Sequence, residues 1–181
     1  MSPLIKNIKK PEIVLIAALA ENNRLIGKDG KLPWPYIAED SQRFQALTVR
    51  HTVIMGRKTW ELDVEKHPLD DRYNIVVSNS IRQEEITSFQ AKYPQNLKFV
   101  TSLEGALKQI SETNKIFIIG GSTIYTQALE LADIWELTLI EGDFQGDTYF
   151  PEYQFLIGDK FELVSTDARK GFKFETYRRI K

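Results

Sequence analysis

Four short apolar runs punctuate the first two thirds of the chain: residues 13–20, 52–55, 74–77 and 116–119. Runs this short, apolar at nearly every position, predict strands buried on both faces, as parallel strands covered by helices are. Between them the period changes. Residues 38–49 place Phe44 and Leu47 on one helical face, and residues 103–110 place Leu103, Ala106, Leu107 and Ile110 together. Residues 122–131 group Ile124, Ala128 and Leu131, with Tyr125 and Leu129 alongside. Each is the spacing of an amphipathic helix. The C-terminal part returns to strands, over 134–141, 161–167 and 172–180. In Phe172–Tyr177 the alternation fits a strand with one wet face, and Gly171 is placed as the turn residue of a hairpin. The expected fold is α/β: a central, mostly parallel twisted sheet of about eight strands, an antiparallel C-terminal edge, and about four flanking helices. Residues 1–12 read as an N-terminal extension and residues 13–181 as one domain.

Composition narrows the function. Lys and Arg total 24 against 25 Asp and Glu, a net charge of −1. That balance gives no general pull toward nucleic acid or an anionic membrane, so neither is expected as a partner. The absence of Cys excludes a disulfide framework, a Cys-based zinc site, an iron–sulfur cluster and a cysteine nucleophile, and makes the cytoplasm the simplest compartment. The run from Ile13 to Ala20 is too short for a membrane helix, which needs about 20 residues. Pro11 and Glu12 separate it from Lys6, Lys9 and Lys10, which argues against a cleaved signal peptide. His51 and His67 lack metal-ligand spacing, and no metal is expected.

Three segments can carry chemistry. Gly120-Gly121-Ser122-Thr123-Ile124-Tyr125 follows an apolar strand and opens a helix. Glycines there let a ligand approach the backbone, and the helix start offers free N–H groups to a phosphate. A bare strand-to-helix turn has the same sequence appearance. Gly56-Arg57-Lys58-Thr59-Trp60 is a second such junction, where a helix is expected and two cations and a hydroxyl are added. Two helix starts at strand C-terminal ends suggest a crevice gripping a two-phosphate ligand, although a solvated basic turn also fits the second one. The third segment runs from Leu32-Pro33-Trp34 to Asp40. Asp40 precedes Phe44 by four residues and Leu47 by seven, which puts a carboxylate on an apolar helical face. There it needs a partner, either a protein group or a ligand with paired N–H donors. An Asp in a first helical turn also simply suits the helix dipole.

Taken jointly and in order, these segments resemble dihydrofolate reductase. The resemblance runs from about Ile13 to near the C-terminus. It includes Ile16-Ala17-Ala18, Ile26-Gly27, Leu32-Pro33-Trp34, Val53 through Trp60, Asn74 through Ser78, Ile118 through Gly121, Tyr125, and Gly146 through Pro151. It implies the family's fold, an NADPH cofactor, reduction of dihydrofolate to tetrahydrofolate, and sensitivity to antifolates. A monomer is expected. By resemblance, Asp40 is the acid of the pterin pocket, meeting the amino-pyrimidine edge with two N–H donors to one carboxylate. Thr138 would bond both the acid and the ligand. Ile16, Ala17 and Ala18 would line the pocket, Phe44 would pack on the pterin and benzoyl rings, and Leu62 or Val64 would touch the benzoyl ring. Arg72 matches the arginine that holds the glutamate α-carboxylate. Leu32 and Trp34 lie on a loop, about residues 27–36, that would close over the nicotinamide.

The same resemblance gives the cofactor set. Gly120, Gly121, Ser122, Thr123 and Ile124 would cradle the pyrophosphate from one side, and Gly56, Arg57, Lys58 and Thr59 from the other. Val77, Ser78 and Asn79 fall where the adenine ribose 2′-phosphate binds. Ile119 and Tyr125 would lie beside the nicotinamide, and Ala18, Ile26 and Gly27 complete the cofactor set. Hydride would pass to the pterin ring carbon, with a water as the immediate proton donor to the adjacent nitrogen. The chain departs from many bacterial members in four ways. One residue is added between Trp34 and Asp40, which sets Glu39 beside the acid. Two are added between Trp60 and Arg72. Thr123 stands where many bacterial members carry an Arg for the 2′-phosphate, and Asn79 follows Ser78, so preference for NADPH rests more on Arg57 and Lys58. Two other readings share part of the pattern: a pyrimidine reductase of riboflavin biosynthesis, and a non-catalytic nucleotide-binding module.

Overall fold

The structure is a computed structural model and describes residues 10–110 and 115–181. Eight strands form the main sheet: β1 (Glu12–Ala20), β3 (Thr52–Gly56), β4 (Tyr73–Val77), β5 (Leu97–Val100), β6 (Lys115–Gly120), β7 (Ile134–Ile140), β9 (Phe161–Arg169) and β10 (Phe172–Arg179). Two short strands, β2 (Leu25–Gly27) and β8 (Thr148–Tyr149), pair separately. The helices are α1 (Ala38–Thr48), α2 (Gln83–Lys92), α3 (Leu103–Lys108) and α4 (Ser122–Ala128). The strand order is β5-β4-β3-β6-β1-β7-β10-β9. The pairings from β5 through β7 are parallel, and β10 runs antiparallel to both neighbours. The sheet is therefore the mixed α/β arrangement that the apolar runs imply.

Strand β1 shows why those runs are continuous. Ile13, Leu15, Ala17 and Leu19 enter one core with Leu103, Ala106, Ile124 and Ala128. Val14 and Ile16 enter a second core with Val53, Met55 and Trp60, against which Phe44 and Leu47 pack. Both faces are covered, so both parities are apolar. A one-residue slip would exchange the two sets, which holds the register firmly. The third cluster sits under the C-terminal edge, where Ala20, Leu25, Trp34, Ile140, Phe172 and Phe174 meet.

Several elements depart from the sequence reading. α2 and β5 have no counterpart in it. No residue of α2 is fully buried, so its apolar stripe is thin, and β5 has four residues. Glu84 and Glu85 lie in the first turn of α2, where Lys66 Nζ donates to Glu85 Oε1 (2.7 Å). The helix expected after Gly56 becomes a π-helical turn over Thr59–Asp63. Val64 N–H donates to the Thr59 carbonyl (3.1 Å), a loop one residue wider than an α-turn. α3 and α4 close two and three residues early, at Lys108 and Ala128, respectively. The hairpin between β9 and β10 turns at Lys170–Gly171, as the alternation requires.

Candidate active site

The C-terminal ends of the parallel strands open into a cleft of about 1410 Å³. This is where open α/β sheets place their ligands. Every residue singled out from the sequence lines it except Arg72, which stands just behind the wall.

At one end, α1 brings Asp40 over β7. Thr138 Oγ1 donates to Asp40 Oδ1 at 2.6 Å, and Thr138 itself is 3% exposed. Burial pushes the Asp40 carboxyl above the ordinary range, while the Thr138 hydrogen bond and the Arg43 guanidinium pull it back down. Adjacent Glu39 points elsewhere, toward Arg169 at 3.7 Å on the surface. The helix therefore separates the two neighbouring acids, and only Asp40 faces the cleft.

Further along α1, Phe44 leads to Arg72. The Arg72 guanidinium carbon lies 5.8 Å from the Phe44 ring centroid. Its Nε donates to Thr48 Oγ1 (2.8 Å) and its Nη1 to the Asp70 carbonyl (2.7 Å). The fully buried Asn74 amide fixes this segment: Nδ2 donates to the carbonyls of Leu69 (3.0 Å), Arg72 (3.1 Å) and Asn96 (3.2 Å), and Leu69 N–H donates to Oδ1 (2.9 Å).

The other half of the cleft joins β3, β4 and β6. Gly120 has φ +134°, and a Cβ built there would lie 2.9 Å from Thr59 Oγ1 and 3.5 Å from the Tyr125 hydroxyl. Only glycine fits that backbone and that gap. The Ile124 and Tyr125 N–H groups donate to the Gly121 carbonyl, each at 2.9 Å. The earlier N–H groups of α4 have no acceptor within the helix. Tyr125 is buried and donates to the Ile16 carbonyl (2.8 Å), which ties α4 to β1. Arg57 lies 3.7 Å from Glu61 on the rim. Ser78, Asn79, Ser80, Thr101 and Ser102 form a run of polar side chains at the far end.

A loop covers the middle. Lys28 and Lys31 exchange backbone hydrogen bonds at 2.9 Å, and Gly30 between them has φ +74°. A Cβ on Gly30 would come within 2.6 Å of Leu62 Cδ1, so Leu62 reaches across from the π-turn to touch the loop. It is 51% exposed, standing at the mouth rather than deep in the wall. Val64, named beside it, also lines the cleft and packs back against the second core. Trp34 is buried edge-on against Phe144 at 5.7 Å, whereas Leu32 is exposed. Asp29 N–H donates to Asp147 Oδ2 (2.9 Å), and the Thr148 hydroxyl donates to Asp147 Oδ1 (2.6 Å).

Residues 12–179 match the family model described as dihydrofolate reductase. The chain belongs to the dihydrofolate reductase family. It is 40% identical over 141 residues to dihydrofolate reductase type 3 of Salmonella typhimurium, covering 78% of this chain and 79% of the relative. It is 35% identical over 186 residues to the dihydrofolate reductase of Rattus norvegicus, covering 90% and 94%. A solved dihydrofolate reductase from Enterococcus faecalis, complexed with NADP(H) and RAB-propyl, superposes with a TM-score of 0.76. It shares 26% identity and covers 95% of this chain and 98% of that one.

Some cleft residues of this dihydrofolate reductase family member had no sequence signal. Asp63 sits at the end of the π-turn. Burial raises its carboxyl, and the Thr59 hydroxyl bonded to it opposes that rise. It lies within the stretch where two residues are added, so no family spacing points to it. Asp147, by contrast, falls within the stretch Gly146 through Pro151 that carries the resemblance, and its bonds to Asp29 and Thr148 fasten the covering loop. The Thr148 hydroxyl and the Asp29 N–H both hold its carboxyl below the ordinary range. It therefore stays ionised throughout the neutral range. Removing it in Asp147→Ala is expected to lower kcat about tenfold by loosening the covering loop, because loop closure sets many turnover rates. The melting temperature should change little, since Asp147 is exposed. Steady-state turnover beside a thermal melt checks both.

Proposed function

We propose that this chain transfers a hydride from NADPH to 7,8-dihydrofolate, giving 5,6,7,8-tetrahydrofolate. The observation that carries the reading is the Asp40–Thr138 pair, a half-buried carboxylate anchored at 2.6 Å and facing the cleft. Such a group calls for a ligand with two adjacent N–H donors, which the amino-pyrimidine edge of a pterin provides. The alternative reductase and the nucleotide-binding module have no use for this acid, or for Arg72, which stands before β4 against Phe44 and Thr48 of the same helix.

The residues present suit the cofactor. Gly120 leaves a gap that a side chain would fill, the start of α4 offers N–H donors, and Arg57 and Lys58 face the same space with Thr59. The hydroxyl-rich far end, with Ser78, Ser80, Thr101 and Ser102, supplies donors for a 2′-phosphate. When bound, NADPH supplies the hydride, and the rest of the work falls to the chain. Asp40 would accept the two N–H bonds and set the pterin's orientation. Ile16, Ala17, Ala18 and Ile119 would wall the ring, and Phe44 would pack along it. A C–H bond forms at the ring carbon as the adjacent C=N bond opens, and the ring nitrogen takes a proton from water. Loop 27–36 would admit that water while excluding bulk solvent. Arg72 would receive the glutamate α-carboxylate. Among the described residues its Nη2 has no hydrogen-bond acceptor, which leaves donor capacity for an anion.

Among the described residues, no helix is long and apolar enough to cross a membrane. We place the enzyme, as a monomer, in the cytoplasm, with diaminopyrimidine antifolates as its inhibitors. The deciding assay follows NADPH oxidation with and without dihydrofolate, then with NADH. Dihydrofolate-dependent oxidation at a rate well above background is expected, and its absence sinks the reading. In the same assay Arg72→Leu should raise the KM for dihydrofolate roughly 10–100-fold, the size of one lost charge-assisted pair. The KM for NADPH should stay within about twofold.

A further inference from the structure

Behind Asp40 the wall is built as two rungs. On the first rung, Thr138 of β7 donates to Asp40 of α1. On the second, Arg43 Nη2 of α1 donates to Glu136 Oε2 of β7 at 2.5 Å. Asp40 and Arg43 are one helical turn apart, about 4.5 Å along the axis. Glu136 and Thr138 are two residues apart on one strand face, about 6.8 Å. Strand β10 closes both rungs from the side. Phe174, registered against Thr138, takes the Arg43 guanidinium over its ring at 4.7 Å. Thr176, registered against Glu136, donates its hydroxyl to the same Oε2 at 2.7 Å.

The second rung is well sheltered. Arg43 and Glu136 are 21% and 13% exposed, so neither charge is fully screened by water. Breaking such a pair leaves the surviving charge in a poorly solvated place. Arg43 also lines the cleft beside Asp40 and pulls on its carboxylate.

We propose that Arg43 and Glu136 form a charge clamp that positions Asp40: a cation and an anion held against each other one helical turn from the acid, tying that part of α1 to β7 beside the Thr138 bond. Arg43 is then a positioning residue, and Glu136 holds and moderates it. The inference rests on the reading of Asp40 as the acid that orients the substrate. The other groups facing Asp40 do not supply this balance. On α1, Glu39 is turned to Arg169 at the surface. On α4, burial pushes the Tyr125 hydroxyl far above its ordinary range, so it stays neutral. On the π-turn, Asp63 is another acid and acts on Tyr125 as Asp40 does. On β10, Phe174 and Thr176 carry no charge. Arg43 is the cation that bears on Asp40 directly.

The clamp makes a signed prediction. Arg43→Met leaves Glu136 as an added negative charge near Asp40 and should move the carboxyl's titration to higher pH. Glu136→Gln keeps the hydrogen bonds but leaves Arg43 uncompensated, and should move it to lower pH. Shifts of about half a pH unit or more, opposite in sign, are expected. The double variant should return near the parent, and Arg43→Lys should stay close to it. The readout is the ¹³C carboxyl resonance of Asp40 in the full-length protein without ligands, assigned by its loss in Asp40→Asn. Melting curves identify any variant that fails to fold; should Arg43→Met do so, Glu136→Gln must still move the titration lower against an unmoved Arg43→Lys, or the clamp fails. Shifts of the same sign, or none, overturn the clamp whatever the turnover. Opposite shifts without dihydrofolate-dependent NADPH oxidation would uphold the clamp and refute the functional reading. With both present, the acid limb of turnover should move in parallel with the resonance.

Discussion

Asp40→Asn is expected to lower kcat/KM for dihydrofolate by about 10²–10³-fold at pH 7, the size expected when a charge-assisted bond is lost and the substrate is misplaced. The variant can still accept the Thr138 hydroxyl through its amide oxygen. It then presents an NH₂ group where the ligand also presents N–H, so one of the paired hydrogen bonds becomes a repulsion. NADPH affinity should stay within about twofold, because the cradle around Gly120 and Arg57 belongs to other elements. The same substitution should make the unliganded protein more stable at pH 7. Burial raises the Asp40 carboxyl above its value in the unfolded chain. Below the unfolded value, about 3.9, both states hold the proton and the group has no effect on stability. As pH rises through the folded value, the ionised carboxylate disfavours the folded state, and Asn removes that penalty. The melting temperature of the variant should therefore exceed the parent's at pH 7, and the gap should close as pH falls toward 4. A variant less stable than the parent at neutral pH would refute the burial argument. Activity and stability here pull on one carboxylate in opposite directions, as they do at many functional sites.

Gly120→Ala is expected to be the most damaging single-methyl change in the cleft. Its φ of +134° lies where L side chains rarely go, and the new methyl would sit 2.9 Å from Thr59 Oγ1. Backbone strain of this kind costs about 1–3 kcal/mol. Relief requires moving Thr59, which is buried at the start of the π-turn and bonded to Asp63. NADPH affinity should fall at least tenfold, because both sides of the cradle meet at this point. Gly121→Ala is the internal control. Its methyl would meet Thr59 Oγ1 at 3.5 Å, an ordinary contact, and should disturb folding less. Thermal melts with a fluorescence titration of NADPH separate the strain from the lost cradle. Equal effects from the two substitutions would show that the Thr59 contact does not matter.

Much of this cleft was readable in the sequence because its parts are local. The turns after β3 and β6 announce themselves by glycine at a strand end. The acid announces itself by helical spacing to Phe44 and Leu47, and the structure indeed turns Asp40 inward and Glu39 outward. What could not be read depends on partners far apart in sequence. Arg43 meets Glu136 across 93 positions, and nothing near either residue marks the meeting. The π-turn was missed for another reason: one extra residue widens a helix without disturbing its apolar pattern, so nothing in the spacing shows that Leu62, at the cleft mouth, also reaches Gly30 of the covering loop. α2 and β5 were missed because weakly buried or very short elements leave little periodic trace. Asn74 stands in the sequence as the edge of an apolar run and the start of a family-like stretch, and neither shows that its amide fixes the backbone around Arg72.

The reach of Leu62 to Gly30 also joins the mouth of the cleft to the loop that covers it. A ligand held only while that loop is shut would dwell for a time set in part by this one aliphatic side chain. Trimming it should hasten departure more than it hinders arrival, so the threshold and the interior of the cleft can be tuned apart.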